Sequence, residues 1–250
     1  LNQVISRFLG INRIQKIDLC SRFTHQCAMK EKIVHSTTGI TILGGGQVDG
    51  PQIRRALALA PYLLAADIGA THALDLGLQP DAVIGDMDSS NDLQDRLPKV
   101  PVFKISEQTS TDFEKCLYSL TAPFVLALGV TGSRLDHSMA AMNALACYPD
   151  LPVVIISAGD LVFLAPQKMV LRLPVGSRVS LFPMGDCQGE SAGLEWPIKG
   201  LQFSPMGRIG TSNRSAAREV TLRFQRRNML VILSARHLRA VLVALGCLPD

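Results

Sequence analysis

At 250 residues, 47% hydrophobic and only 18% charged, the chain can bury one large core or two modest ones, which excludes wholesale disorder. No apolar run approaches the roughly 20 residues of a bilayer span, so no membrane partner is expected. The net charge of +4 lies in residues 1–35, where six Lys/Arg face Asp18 and Glu31; the rest is balanced, which argues against a nucleic-acid surface.

That basic segment carries Val4, Ile5, Phe8, Leu9 and Ile14 at loosely helical spacing, without the continuous apolar core of a secretory signal. It is expected to be a poorly ordered extension, with Met29 a candidate start; a transit peptide or membrane-surface helix is the alternative. The six cysteines (20, 27, 116, 147, 187 and 247) form no CxxC and no Cys/His cluster. They fit neither a zinc site nor a dense disulfide framework, and a reducing cytoplasm is the simplest setting.

From Ile40 strands and helices alternate. "GITILGGG" reads as a strand running into glycines, and "PQIRRALALAP" as a helix with Pro51 in its first turn. "YLLAAD", "DAVIGD", "FVLALG" and "PVVIISA" are further strands; "ATHALDLGL", "TDFEKCLYSL" and "SRLDHSMAAMNALACY" are the helices between them. Leu135, Met139, Met142 and Ala146 form one stripe of the last helix, expected to be core. This pattern predicts an α/β domain over 36–159, a mostly parallel three-layer sheet. Beyond Gly159, "MVLRL", "RVSLFP", "EVTLRF" and "MLVILSA" are short strands with Gly, Pro and Arg between them. A small all-β sandwich domain is expected over 160–250, with a hairpin around Gln225–Asn228.

Ligands in open parallel sheets bind beyond the carboxyl ends of the strands. Asp67, the pair Asp86 and Asp88, Gly44–Gly46 and Gly129–Gly132 all fall at such ends. Two aspartates one residue apart repel each other unless a cation compensates them, and hard carboxylate oxygens are what Mg²⁺ selects. Alone, Asp86 reads equally as a turn residue and Asp88 or Ser89 as a helix cap. Thr111 and Glu114 form a capping-box pattern, which places Asp112 in the first helical turn, suited to the macrodipole and to a metal alike. Lys115 is either a phosphate contact or a solvated helix residue. "GVTGSRLDH" opens a helix after a strand, as phosphate sites do. There Arg134 suits a phosphate, Asp136 a substrate or Arg134 itself, and His137 either catalysis or a structural place. On composition alone Trp196, the single tryptophan, reads as a core or hinge aromatic.

Asp67-Ile68-Gly69, "GDMDS" at 85–89, "TDFEK" at 111–115, "GSRLDH" at 132–137, "GLEW" at 193–196 and "GTSN" at 210–213 occur in an order that resembles the thiamin pyrophosphokinase family over about residues 40–245. The resemblance implies an α/β nucleotide-binding domain, a β-sandwich domain and a homodimer. It also implies transfer of a pyrophosphoryl group from ATP to the thiamin hydroxyl, with AMP released. Asp67, Asp86, Asp88 and Asp112 are then the acidic catalytic set, the last three as Mg²⁺ ligands. Gly85, Ser89, Thr111, Lys115, Gly132, Arg134, Asp136 and His137 line the nucleotide site. Trp196, Ser212 and Asn213 hold thiamin, its aminopyrimidine stacked on the indole. The chain departs from the family's usual text at Ile68, at Ser133 and at Thr109, where many members carry Gly, Gly and Asp. Other readings of the same residues are a pyrophosphokinase for a pterin alcohol, a DxD sugar-nucleotide transferase and a non-catalytic nucleotide sensor.

Overall fold

The computed structural model describes residues 31–87 and 93–250. Positions 1–30 of the expected extension, and Asp88 and Ser89, lie outside the described residues. A two-residue strand β1 (Val34–His35) precedes β2 (Ile40–Leu43), β3 (Tyr62–Ala66), β4 (Ala82–Gly85) and β5 (Val102–Lys104). After β6 (Leu120–Thr121), which among the described residues pairs only with β1, come β7 (Val125–Leu128) and β8 (Val153–Ile156). Strands β2, β4, β7 and β8 are buried at every position, as strands covered on both faces must be.

Helices supply that cover. α1 (Gly50–Leu57) begins where the Asp49 carboxylate accepts from Gln52 N at 2.6 Å and Pro51 sets the first turn. α2 (Gly69–Asp75) and the short α3 (Leu93–Arg96) follow, then α4 (Asp112–Ser119) and α5 (Leu135–Cys147). α1 packs Ile53 and Ala56 into a core that includes Leu43; α4 and α5 bury Phe113, Leu117, Ala141 and Leu145 in a second core with Ile40 and Ile42. Because side chains alternate along a strand, these cores lie on opposite faces of β2.

The remaining strands are β9 (Asp160–Leu164), β10 (Lys168–Arg172), β11 (Arg178–Pro183), β12 (Cys187–Ala192), β13 (Gln202–Phe203), β14 (Gly210–Arg214), β15 (Glu219–Phe224) and β16 (Met229–Ser234). Among the described residues the largest sheet has ten strands, in the order β14-β11-β16-β9-β8-β7-β2-β3-β4-β5. From β8 to β5 all neighbours are parallel, whereas β8, β9, β16, β11 and β14 pair antiparallel. A four-stranded antiparallel sheet, β10-β15-β12-β13, stands beside it. The molecule is therefore mixed α/β, with one large mixed sheet and one antiparallel sheet. The boundary expected near residue 160 falls between β8 and β9, which are paired neighbours through Ile156 and Leu161.

Two expectations are corrected. Gln225–Asn228 does not close a hairpin: β15 pairs with β10 and β12, and β16 with β9 and β11. Val220, Leu222 and Phe224 share one core with Met229, Val231 and Leu233, so the two strands meet across that core and the turn carries the chain between sheets. The stripe on α5 is not uniformly core either. Leu135 and Met139 are 71% and 65% exposed, while Met142 and Ala146 are partly buried. The buried face is Ala141, Ala144 and Leu145, in the later turns of α5. The helix α6 (Leu238–Ala244) is not among the expected elements; it buries Leu238, Val241 and Leu242 against the first core. Among the described residues no helix is long and apolar enough to cross a membrane.

Candidate active site

Strand order reverses between β2 and β7: β3, β4 and β5 follow on one side and β8 on the other. Open sheets form a crevice at such a point. The loops leaving the two strands touch backbone to backbone, Gly44 N donating to Leu128 O at 2.8 Å and Gly46 N to Gly129 O at 2.7 Å. A Cβ on Gly44 would stand 2.6 Å from Gly129 O, and one on Gly129, whose φ is +65°, 2.7 Å from Gly44 O. Both positions therefore require glycine. Beside them opens a cleft of about 670 Å³, lined on one side by Asp67, Asp86, Asp112 and Lys115 and on the other by Gly132, Arg134 and His137.

Asp67 and Asp86 leave neighbouring parallel strands. β3 and β4 are in register through Ala66 and Ile84, so the residues after them emerge side by side. Asp67 N donates to Ile84 O at 2.8 Å, and the residue turns at φ +45°, a conformation that a short polar side chain tolerates better than most. Gly85 makes room for this, since a Cβ there would lie 2.7 Å from Asp67 Cβ. Gly85 does not itself line the cleft. Asp112 arrives from a helix and not from a strand end, at the first position of α4, whose cap Thr111 accepts from Glu114 N at 3.3 Å through its hydroxyl. Only this half of the capping box is as expected: the Glu114 carboxylate accepts from the Tyr148 hydroxyl at 3.2 Å.

One carboxylate oxygen from each of Asp67, Asp86 and Asp112 lies within 4.8 Å of the others. Lys115 is not a solvated helix residue. Its side chain is 1% exposed, and Nζ donates to Asp112 Oδ1 at 3.0 Å and to Asp86 Oδ2 at 3.3 Å. Burial pulls the ammonium's pKa down, but hydrogen bonds and attraction from Asp112 and Asp86 outweigh it, and the net shift is upward. The cluster thus contains a permanent cation.

Across the cleft, Arg134 donates to both oxygens of Asp136, from Nε at 3.3 Å and from the guanidinium terminus at 2.7 Å, with both side chains exposed. This pairing holds the Asp136 carboxyl below its ordinary range and the guanidinium above its own. His137 is exposed at the rim.

Among the described residues, those lining the cleft all fall between positions 44 and 141, so Trp196, Ser212 and Asn213 stand apart from it within one chain. They form a group of their own. Asn213 is buried; its Oδ1 accepts from Trp196 N at 3.3 Å and its Nδ2 donates to Trp196 O at 2.7 Å, while the indole is 50% exposed. Ser212, at φ +62°, donates its N–H to Ser180 Oγ at 3.0 Å.

Three residues escaped sequence reasoning. Gln108 Nε2 donates to Asp86 Oδ2 at 3.0 Å, and no pattern announced it. Glu107 accepts from Thr109 N at 2.7 Å, from the Tyr118 hydroxyl at 3.1 Å and from the hydroxyls of Thr109 and Ser110. A carboxylate followed two and three residues later by hydroxyls was the available signal for that loop. Arg214 lies over the Trp196 ring, 5.3 Å from its centroid.

Residues 53–155 match the family model described as thiamin pyrophosphokinase, catalytic domain. The chain is 30% identical over 185 residues to thiamine pyrophosphokinase 2 of Oryza sativa subsp. japonica, covering 64% of this chain and 67% of that one. It is 27% identical over 164 residues to thiamine pyrophosphokinase 1 of Arabidopsis thaliana, covering 58% and 61%. The chain thus spans about three-fifths of the length of several curated relatives. Among solved structures it resembles thiamin pyrophosphokinase from Geobacillus thermodenitrificans, with TM-score 0.67, 24% identity and coverage of 79% and 97%. The yeast enzyme aligns with TM-score 0.67 at 19% identity, covering 82% and 92%. At such identities these two likenesses speak for the fold alone.

Proposed function

The chain belongs to the thiamin pyrophosphokinase family, and on that premise we propose that it transfers the pyrophosphoryl group of ATP to the hydroxyl of thiamin, forming thiamin diphosphate and AMP. The observation that carries the proposal is the gathering of Asp67, Asp86 and Asp112 around one point of the cleft, where strand order reverses.

That donor set fits Mg²⁺: three hard carboxylate oxygens from separate elements, with room left for water and phosphate oxygen. Asp67, Asp86 and Asp112 would hold the ion, joined in this proposal by Asp88, two positions after Asp86 in the sequence. When bound, it neutralises charge on the polyphosphate. The chain's own residues do the positioning that such transfer requires. Lys115 bridges Asp86 and Asp112 and holds them together. The turn Gly129–Gly132 and the first N–H groups of α5 favour phosphate oxygens, and Arg134, already held by Asp136, adds a planar donor fork.

Trp196, Ser212 and Asn213 are the proposed thiamin group, the half-exposed indole offering a face to the aminopyrimidine. Asn213 acts by fixing the Trp196 backbone. Because this group stands apart from the cleft of its own chain, the proposal includes a homodimer in which it serves the partner's cleft; Leu135 and Met139, exposed on the helix that carries the cleft-lining His137, support such an interface. On this reading the parallel strands of the ten-stranded sheet supply a nucleotide-binding half, and its antiparallel strands β9, β11, β14 and β16, with the smaller sheet, a sandwich-like acceptor half. A cytoplasmic setting is part of the proposal, supported by Cys116 and Cys187 as buried thiols.

The test is AMP release from ATP with thiamin and a pterin alcohol compared side by side, with and without Mg²⁺. Mg²⁺-dependent AMP with thiamin is expected. AMP with the pterin alcohol alone, or none with either, would overturn the proposal.

A further inference from the structure

Arg214 covers one face of the Trp196 indole, its guanidinium carbon 5.3 Å from the ring centroid. Two features hold it there. Its Nε lies 2.9 Å from Glu195 Oε2, and its backbone N–H donates to Asn213 Oδ1 at 2.8 Å, the same oxygen that accepts from Trp196 N. Glu195 N in turn donates to Arg214 O at 2.9 Å. One buried amide and one backbone bridge therefore lock Glu195, Trp196 and Arg214 into a layered group in which carboxylate, guanidinium and indole succeed each other. A cation on one ring face is attracted by the π-system and fixes the ring plane. Only the opposite face remains for a flat ligand ring.

We propose that Arg214 and Glu195 are specificity-determining residues for the acceptor: Arg214 orients the indole for a planar ring on its open face, and Glu195 neutralises the guanidinium so that a cationic acceptor is admitted. The inference rests on the reading that Trp196 holds thiamin, whose thiazolium ring is cationic. A guanidinium without its carboxylate repels such a ligand through space, by an amount that salt screens, and leaves a neutral ring unaffected. Arg214 is a positioning residue in this account. Its effect belongs to acceptor binding and not to the phosphoryl chemistry.

Trp196 is the only tryptophan of the chain, so its emission reports on the group directly. Thiamin and the neutral 5-hydroxymethyl aminopyrimidine are titrated against the full-length protein at low and high salt, alongside acrylamide quenching. In the wild type, thiamin should change the emission saturably. Arg214→Ala should make the indole more accessible to acrylamide and weaken thiamin about threefold to fivefold, with the KM for ATP unmoved. Glu195→Gln, which keeps an acceptor for Nε, should weaken thiamin at low salt, recover at high salt and leave the neutral pyrimidine unchanged. Wild-type emission indifferent to thiamin would remove Trp196 from the acceptor site and the inference with it. A wild-type response together with wild-type thiamin affinity in both variants would overturn the inference alone.

Discussion

Lys115 Nζ lies 3.0 Å from Asp112 Oδ1, one turn earlier on α4, and the same ammonium reaches Asp86 from the end of β4. A buried lysine in an acidic cleft has a physical consequence: it compensates the carboxylates whenever no metal does. Removing one partner of a buried pair typically costs about 3–5 kcal/mol because the other charge stays buried. Lys115→Met should therefore lower the melting temperature in EDTA, and Mg²⁺ should restore more stability to the variant than it adds to the wild type. An identical Mg²⁺ increment in both proteins would show that lysine and metal do not share these carboxylates.

Asp67→Asn preserves shape, and asparagine tolerates the positive φ at this position. Mg²⁺-dependent AMP formation should fall at least about a hundredfold, as expected when a charge acting on the transition state is lost. The unfolding midpoint should barely move. Activity within a factor of two of wild type would take Asp67 out of the metal-binding set.

Gly85→Ala adds one methyl group where a Cβ would stand 2.7 Å from Asp67 Cβ. No functional group is lost, yet Asp67 must shift, and overpacking of this kind costs about 1–3 kcal/mol. The expected outcome is a lower AMP-forming rate and a higher Mg²⁺ requirement, read from a magnesium titration of the assay. Unchanged magnesium dependence would mean that the site absorbs the displacement.

His237 is buried beside α6, and its Nε2 accepts from Arg236 Nε at 3.2 Å. Burial, and then the neighbouring Arg236 charge, push its pKa below the ordinary 6.5. The folded state thus prefers the neutral ring and the unfolded state binds the proton more readily. The contribution to stability is complete above about pH 6.5 and is lost as pH falls through the lowered folded value. His237→Gln, which keeps an acceptor but cannot titrate there, should flatten the pH dependence of unfolding between about pH 5 and 7. An unaltered slope in chemical denaturation across that window would contradict the assignment.

Asp67 and Asp86 were visible in the sequence because each ends an apolar run, and polar residues ending parallel strands collect on one edge. Asp112 was visible because a cap and the macrodipole place an acid in a first turn. Lys115 was ambiguous, since helical position alone does not separate a solvated lysine from one folded back onto carboxylates. Gln108 and Glu107 were hidden for a related reason: their partners, Asp86 and Tyr118, come from other elements, and no local periodicity encodes such a contact.

The β16 segment shows the same division at the level of the fold. Its apolar run identified a strand, but pairing depends on which edge is available once the core has formed, and burial drew β15 and β16 to opposite sides of one core. Leu135 and Met139 were periodic without being buried, because spacing sets which residues share a helix face but not what covers each turn of it. Order, type and chemistry of the elements follow from short-range preferences and from the residues at strand ends. Which carboxylates share a cation, which face of the indole is covered and which strands pair are matters of distance between segments remote in the chain. Only the packed molecule determines those distances.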